Sequence, residues 1–119
     1  MNEEHLFLGA YEAGVCIGLA VLKHSWFQYM YVMDLKVSRA YRNQGAAQAL
    51  IEKARGIARD HQYRGLYTIG QDNNLAACRF YLKNGFLIGG FDNRSYDGTA
   101  QEGKADITFY LDDASNTDT

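Results

Sequence analysis

The stretch that decides the fold is YMYVMDLKVSRAYRNQGAAQALIEKARGIARDH, which spans Tyr29–His61. Its first part, Tyr29–Val37, alternates with the period of two that is typical of a β-strand. From Ala47 onward, apolar side chains recur at intervals of three and four residues, which predicts an amphipathic helix over Gly45–His61. The two predicted faces of the strand carry Tyr29, Tyr31, Met33, Leu35 and Val37 on one side, and Met30, Val32, Asp34 and Lys36 on the other.

Small residues at the start of this helix predict an anion-binding site. The turn Arg42–Ala47 contains Gly45 and two alanines, so a ligand could approach the backbone N–H groups that every helix start leaves without an internal partner. The helix dipole adds roughly half a positive charge, which favours a phosphate-bearing ligand at Asn43–Ala47. The patterns Gly-x-Gly-x-x-Gly and Gly-x-x-x-x-Gly-Lys-Ser/Thr are both absent. The alternative, a tight turn with a purely structural role, stays open.

The remaining segments predict one α/β domain over residues 1–111, followed by a polar tail over 112–119. Alternating patterns bounded by turn residues predict five further strands, and good capping residues bound a second helix. The expected element order is therefore β-β-β-α-β-α-β-β, with a bulge at the Gly89-Gly90 pair. The further strands are Leu6–Tyr11, Val15–Leu22, Gly65–Gly70, Phe86–Phe91 and Ala105–Leu111, and the second helix is Leu75–Lys83.

Composition excludes several classes of protein. The net charge of −2 excludes a nucleic-acid binder that relies on a basic surface. No apolar run approaches the roughly 20 residues that span a bilayer, and no signal peptide is recognisable, so no membrane partner and a cytoplasmic location are expected. Cys16 and Cys78 lie in apolar segments and are expected to be reduced, buried thiols. His5, His24 and His61 share no ligand spacing with each other or with the cysteines, so no metal is expected.

A second pattern lies on the second helix. Asn74, Ala77, Cys78 and Tyr81 are spaced by three, four and seven residues, so they share one helical face. Read alone, Tyr81 is a core residue whose hydroxyl is satisfied. In a crossover topology, however, the starts of the two helices lie side by side. This face would therefore border the predicted anion site.

Together, the patterns Arg42-x-x-Gly45-x-Ala47 and Asn74-x-x-Ala77-x-x-x-Tyr81-x-x-x-Gly85-Phe86 resemble the GNAT superfamily of acetyl-CoA-dependent N-acetyltransferases. The resemblance runs from about Leu6 to Leu111 and implies a mixed, mostly antiparallel sheet with two helices. Three further runs look like the streptothricin acetyltransferase branch: Ser25-Trp26, Gln71-Asp72-Asn73-Asn74 with Ala77-Cys78, and Gly89-Gly90-x-Asp92-x-x-x-Tyr96.

The resemblance implies acetyl-CoA as cosubstrate and assigns residues to it. The backbone of Leu35, Lys36 and Val37 would pair with the pantetheine arm, and Asn74 would also contact the cofactor. Tyr81 would act as general acid toward the departing thiolate, because a phenol within hydrogen-bonding distance can give that sulfur a proton. The pyrophosphate would be bound by the turn and helix start, that is by Arg42, Asn43, Gln44, Gly45, Ala46, Ala47 and Gln48.

Asp34 is the candidate general base for the attacking amine, whose ammonium form must first lose a proton. Many relatives place a second acid where this sequence has Ile69, so either Asp34 acts alone through water or the acceptor pocket has changed. The alternative without a catalytic role is that Asp34 is a solvated or salt-bridged carboxylate. A polar loop near the acceptor side could receive a cationic substrate or merely be solvated. Its candidate residues are Asp92, Tyr96, Asp97 and Glu102.

The resemblance therefore implies direct acetyl transfer to a primary amine of a small cationic molecule, such as a streptothricin-like or aminoglycoside-like antibiotic. Two alternatives stay open: an acyl-CoA-binding module without turnover, and a protein or peptide N-acetyltransferase. The resemblance implies that full-length relatives begin with an additional strand and two helices that wall the acceptor side, whereas this chain is expected to start at their second strand. The acceptor site is then open, or a neighbouring subunit closes it, or the chain is a fragment. The sheet edge left unpaired predicts a homodimer.

Overall fold

Six strands and two helices occur in the described part of the chain, in the predicted order β-β-β-α-β-α-β-β. The structure is a computed structural model that describes residues 5–41, 45–94 and 97–113. The strands are β1 (His5–Glu12), β2 (Val15–Lys23), β3 (Tyr29–Val37), β4 (Gly65–Gln71), β5 (Leu87–Asp92) and β6 (Asp106–Asp112). The helices are α1 (Ala46–Asp60) and α2 (Leu75–Lys83), and a single 3-10 turn covers Arg39–Tyr41.

The strands form one mixed sheet in the order β1-β2-β3-β4-β6-β5. All neighbours are antiparallel except β3 and β4, which are parallel because α1 carries the chain back across the sheet between them. This arrangement confirms the predicted fold class. The parallel pair is in register only at Tyr29↔Gly65, Met30↔Leu66 and Tyr31↔Tyr67. Beyond these three pairs the two strands separate.

The core lies between one face of the sheet and the two helices. Its largest fully buried side chains are Leu22, Met30, Leu66 and Phe109, which come from four adjacent strands. Burying each of them contributes roughly 1.5–3 kcal/mol to folding. The predicted apolar stripe of α1 supplies the opposite wall of the core, and its buried members are Leu50, Ile51, Ala54 and Ala58.

The predicted alternation of β3 is wrong beyond Val32, because the strand contains a bulge. Val21 of β2 pairs with Asp34, whereas Leu22 pairs with Val32, so Met33 is an extra residue. One extra residue reverses the alternation of all side chains that follow it. Val32 and Leu35, which the pattern assigns to opposite faces, therefore line the same cavity under α1. The bulge predicted at the glycine pair of β5 is confirmed, because the register shifts between Ile88 and Gly90.

One burial prediction and the predicted end of the last strand also differ from the structure. Cys16 and Cys78 are both free, but Cys16 is exposed because it lies one residue from the end of β2, beside the β1–β2 turn; Cys78 is half-buried. At the other end, β6 continues to Asp112, and Asp113 is only 3% exposed. Arg59 of α1 holds Asp113 through two hydrogen bonds of 2.6 and 3.0 Å, which fixes the chain two residues past the predicted strand end.

Candidate functional site

The opening between β3 and β4 is the centre of the candidate site. Both strands continue beyond their last pair, Tyr31↔Tyr67, yet no further backbone pairing joins them within the described residues. One side chain bridges the opening at its base, because the Thr68 hydroxyl donates to the Val32 carbonyl oxygen at 2.9 Å. Ligands of open α/β sheets bind at the carboxyl ends of parallel strands. The opening lies at this position.

The predicted backbone segment Leu35–Val37 forms one edge of the opening. These residues pair with β2 in the register Leu35↔Ala20, Lys36↔Leu19 and Val37↔Gly18. On the side toward β4 no strand pairs with them among the described residues. An extended ligand could therefore add to this edge as an additional strand does.

The start of α1 has the open geometry predicted for an anion site. Gly45 is the N-cap residue, with a positive φ of 83° and without a side-chain cap. A Cβ atom built on Gly45 would meet nothing within 4 Å, so the space in front of this turn is open. Ala46, Ala47 and Gln48 form the first helical turn, whose N–H groups have no intrahelical acceptor. Arg42, Asn43 and Gln44 lie outside the described residues.

Asn74 caps α2. Its Oδ1 atom accepts a hydrogen bond from the Ala77 N–H at 3.1 Å, which satisfies one of the free donors of the first turn. This gives Asn74 a structural role at the predicted place. A contact with a ligand could come from its Nδ2 atom or from the second lone pair of Oδ1.

Tyr81 lies on the sheet side of α2, between aromatic neighbours. Its ring centroid is 5.4 Å from that of Phe86 and 5.2 Å from that of Phe109. The pKa of the Tyr81 hydroxyl is raised, mainly by burial and further by the negative charge of Asp34, while a hydrogen bond with Thr68 acts in the opposite direction. The hydroxyl therefore keeps its proton at physiological pH and can donate it.

A small apolar cavity of about 10 Å³ lies between α1 and the sheet beside the opening. Its surface is entirely apolar, and Tyr81 is among the residues that line it. The cavity walls include Val32 and Leu35 of β3, Leu66 of β4 and Leu50 of α1. A cavity of this size has room for about one water molecule, so it is a small gap in the core.

Asp34 lies on β3 beside the opening, with a side chain that is 41% exposed. Its carboxylate forms an ion pair with Lys36, at 3.4 Å between Oδ2 and Nζ. Exposed pairs of this kind contribute little to stability, typically about 0–1 kcal/mol, and they exchange readily with other partners. The structure thus brings Asp34 and Tyr81 to the same opening, close enough for the charge of Asp34 to act on the phenol.

In the polar loop near the acceptor side, the described acidic residues interact with other residues of the same loop. Asp97 pairs with Arg94 at 3.2 Å, and Glu102 accepts the Gly98 N–H at 2.9 Å. Asp92 accepts the N–H of Arg94. The fourth predicted member, Tyr96, lies outside the described residues. A role for this loop in receiving a cation stays a prediction.

Thr68 is a site residue that the sequence reasoning missed. Its side chain is 3% exposed and connects two elements of the site. The hydroxyl donates to the Val32 carbonyl oxygen of β3 and is hydrogen-bonded with Tyr81 of α2. The available signal was its position in the alternation of β4, between the buried residues Leu66 and Gly70. A polar residue at such a position requires a hydrogen-bonding partner.

The described residues contain neither a metal-binding cluster nor a membrane-spanning helix. In residues 5–41, 45–94 and 97–113, no group of three or more His, Cys, Asp or Glu side chains could hold a metal ion. Within those same ranges, every helix is too short or too polar to cross a membrane.

Comparison with known proteins agrees with this geometry. Residues 1–86 match the Acetyltransferase (GNAT) family. The chain is 34% identical to streptothricin acetyltransferase A of Bacillus subtilis (strain 168) over 95 residues, and 33% identical to streptothricin acetyltransferase of Escherichia coli over 95 residues. The chain therefore belongs to the GNAT acetyltransferase family. Each alignment covers 80% of this chain and 55% of the relative, so the chain spans about half the length of these curated relatives.

Solved structures show the same fold. A protein of Bacillus anthracis str. Ames described as a streptothricin acetyltransferase, in complex with acetyl coenzyme A, superimposes with a TM-score of 0.86 at 36% identity. It matches 94% of this chain over 64% of its own length. The nourseothricin acetyltransferase structure gives a TM-score of 0.81 at 28% identity, covering 92% of this chain and 66% of that protein.

Proposed function

We propose that this chain is an N-acetyltransferase that moves the acetyl group of acetyl-CoA to a primary amine of a small cationic molecule, of the streptothricin or aminoglycoside kind. The single observation that carries the proposal is the opening between β3 and β4, with the free start of α1 at one end and Tyr81 at the other. The streptothricin acetyltransferase relatives support the choice of acceptor class.

The proposed cosubstrate fits the residues in three places. The phosphates lie at the start of α1, where Gly45, Ala46, Ala47 and Gln48 present N–H groups without steric hindrance. The pantetheine arm adds to the free edge of Leu35–Val37, as an additional strand would. The thioester then reaches the opening, where Asn74 and Tyr81 approach from α2.

The proposed reaction is a direct transfer. The amine nitrogen attacks the thioester carbonyl carbon, and a new C–N bond forms while the C–S bond breaks. Tyr81 donates its proton to the departing sulfur, which leaves as the thiol of CoA. The proton lost by the amine passes to Asp34 through water. No acetyl-enzyme is formed in this scheme.

We further propose that the protein works as a homodimer in the cytoplasm. The β1 strand ends the sheet on one side, and such an edge is available for pairing with a second copy. The free thiols of Cys16 and Cys78 suit a reducing compartment. Light scattering that shows a monomer at high protein concentration would contradict the dimer.

The experiment that tests the proposed function combines binding and turnover. The purified chain is mixed with acetyl-CoA and a panel of streptothricin, kanamycin, spermidine and short peptides, and thiol release is measured together with the Kd for CoA. Thiol release with the small cationic amines is expected. CoA binding without release on any amine would indicate a binding module instead, and release with peptides alone would indicate a peptide acetyltransferase.

A further inference from the structure

The hydroxyl of Thr68 lies where three elements of the structure meet. Thr68 belongs to β4 and is buried. Its hydroxyl is hydrogen-bonded both with the carbonyl of Val32 on β3 and with the phenol of Tyr81 on α2. Phe109, which pairs with Thr68 in register on β6, packs against the ring of Tyr81, at 5.2 Å between the ring centroids. A single buried hydroxyl therefore connects β3, β4 and α2.

Packing holds the ring of Tyr81 beside Thr68. A Cβ atom built on Gly70 would lie 3.8 Å from Cε2 of Tyr81 and 3.3 Å from the ring of Phe109, so both rings lie close to the backbone of β4. Gly70 and Thr68 are two residues apart on the strand and therefore share a face. Phe86 contacts the Tyr81 ring as well, at 5.4 Å between the centroids. The phenol is thus positioned by neighbours from the sheet and from the segment that follows α2.

The direction of the two hydrogen bonds follows from the chemistry of a hydroxyl group. A threonine hydroxyl has one proton to donate and two lone pairs that accept. The carbonyl oxygen of Val32 only accepts, so the proton of Thr68 points toward it. The bond between Thr68 and Tyr81 is then donated by the phenol. In this resting arrangement, Thr68 holds the proton of Tyr81.

The arrangement changes once the phenol has given up its proton. A phenolate oxygen only accepts hydrogen bonds, and a bond to a charged oxygen is about twice as strong as one between neutral groups. Rotation about the Cβ–Oγ bond of Thr68 moves its proton from the Val32 carbonyl to the phenolate. The O–H bond of Thr68 stays intact, and only its acceptor changes. Thr68 can therefore stabilise the charge that Tyr81 acquires when it acts as an acid.

The electrostatics of Tyr81 agree with this second arrangement. Burial raises the pKa of the Tyr81 phenol, the hydrogen bond with Thr68 lowers it, and interactions with Asp34 and Cys78 raise it further. The pKa of Tyr31 is raised by burial and next by Tyr81, so Tyr31 is a further titratable neighbour. Among these described neighbours, Thr68 is the one that favours the phenolate. A residue that stabilises the phenolate makes Tyr81 a stronger acid.

We propose that Thr68 is the positioning residue of the general acid: it holds the proton of Tyr81 before transfer and donates a hydrogen bond to the phenolate afterwards. This inference rests on the proposed function, in which Tyr81 protonates the sulfur of CoA. The O–H bond of Tyr81 breaks and the S–H bond of the thiol forms. The phenolate then regains a proton through water, which balances the proton that Asp34 took from the amine.

The first measurement separates chemistry from binding. Thr68→Val removes the hydroxyl but nearly keeps the shape, and with streptothricin as acceptor it should lower kcat by roughly 10–100-fold, the effect of losing a hydrogen bond to a charged group. The Kd for CoA should stay within about threefold. Thr68→Ser keeps the hydroxyl and should restore most of kcat.

Asp113→Ala is the matched control for a general loss of stability. Asp113 is bound by Arg59 next to Asp112, which pairs with Gly65 at the start of β4, away from the opening. This variant should lose stability but keep kcat. Equal losses of kcat in Asp113→Ala and Thr68→Val would assign the effect to stability and overturn the inference.

The second measurement needs no turnover. All nine tyrosines are replaced biosynthetically with fluorotyrosine, whose phenol is more acidic, and the fluorine resonance of Tyr81 is identified by its absence in Tyr81→Phe. Ionisation of the phenol moves this resonance, so its midpoint with pH reports the pKa of Tyr81. Thr68→Val should raise the midpoint, because the bond that favours the phenolate is lost. Thr68→Ser and Asp113→Ala should leave it unchanged.

The remaining outcomes separate this inference from the proposed function. An unchanged midpoint in Thr68→Val would overturn the inference, whatever the activity. A Kd for CoA that rises as much as kcat falls would also overturn it, because Thr68 would then only shape the opening. If the wild-type chain releases no thiol with any amine, the proposed function fails. The titration then decides on its own, and a midpoint that rises in Thr68→Val alone would still show that Thr68 stabilises the phenolate.

Discussion

The hydroxyl of Thr68 donates a hydrogen bond to the carbonyl oxygen of Val32, 2.9 Å away, at the place where β3 and β4 separate. Within the described residues, backbone pairing between the two strands ends at Tyr31↔Tyr67, and this side-chain bond joins the next residues along each strand. The same hydroxyl is hydrogen-bonded with the phenol of Tyr81. One small residue therefore connects the shape of the opening to the position of the proposed general acid.

Replacing Thr68 with Val should destabilise the protein by about 1–3 kcal/mol, because the buried carbonyl of Val32 loses its partner. Urea denaturation measures this change as a lower midpoint with the same slope. Thr68→Ser retains the hydroxyl and should recover most of the stability. A Val variant as stable as the wild type would show that the bridge does not hold the strands.

Replacing Tyr81 with Phe should lower kcat by roughly 10²–10⁴-fold, since a positioned acid contributes about that much, with little change in the Kd for CoA. Tyr11→Phe, which removes an exposed hydroxyl, is the control. Unchanged kcat in Tyr81→Phe would make Tyr81 a core residue only.

The pH profile offers a separate test of Tyr81. The acid must be protonated to act, so activity is present at low pH and is lost as the pH rises through its pKa. Because burial raises that pKa from 10.0, the alkaline limb of the wild type should lie above pH 10.0 and should be absent in Tyr81→Phe. An alkaline limb that Tyr81→Phe retains would assign it to another group.

Gly45→Asp should weaken CoA binding, because it puts a negative charge where the proposed phosphates approach. Gly45→Asn is the matched control: it has nearly the same size, and both residues tolerate the positive φ of 83° at this position comparably. Isothermal titration with CoA should give a Kd for the Asp variant at least about tenfold higher than for the Asn variant. Equal affinities would place the phosphates elsewhere.

Removing the carboxylate of Asp113 should lower the thermal midpoint. Asp113 is buried and bound by Arg59 through two hydrogen bonds, so Asp113→Ala leaves Arg59 without this partner and removes one of the links between α1 and the segment that ends β6. Arg94→Ala breaks an exposed ion pair with Asp97 and serves as control, with a much smaller expected shift. Differential scanning calorimetry compares the two. Equal shifts would mean that the Arg59–Asp113 pair contributes no more to stability than an exposed pair does.

Local patterns were sufficient to predict the elements. The stripe of α1, the capping role of Asn74 and the left-handed residue Gly85 after α2 all depend on neighbours within a few residues of the chain. The bulge at Met33 was not predictable, because strand pairing with β2 determines which residue is extra. An alternating sequence alone does not contain that information.

The candidate site was predicted only where its residues follow one another along the chain. Gly45 could be named because it belongs to a short pattern at a helix start, whereas Leu35–Val37 and Tyr81 could be named because the family resemblance assigns roles to these positions. The stacked row of tyrosines on the outer face of the sheet could not be predicted either, since Tyr31, Tyr67 and Tyr110 come together only through the register of three strands. Thr68 escaped notice for the same reason, because its partners Val32 and Tyr81 lie on other elements.

The central claim is that the thioester of acetyl-CoA lies in the opening between β3 and β4. The most direct measurement is a crystal structure of this chain with CoA bound. The account predicts phosphates at the N–H groups of Gly45–Gln48, the pantetheine arm along Leu35–Val37, and the sulfur within hydrogen-bonding distance of the Tyr81 hydroxyl. CoA bound away from the opening, or a sulfur atom that Tyr81 does not reach, would contradict it.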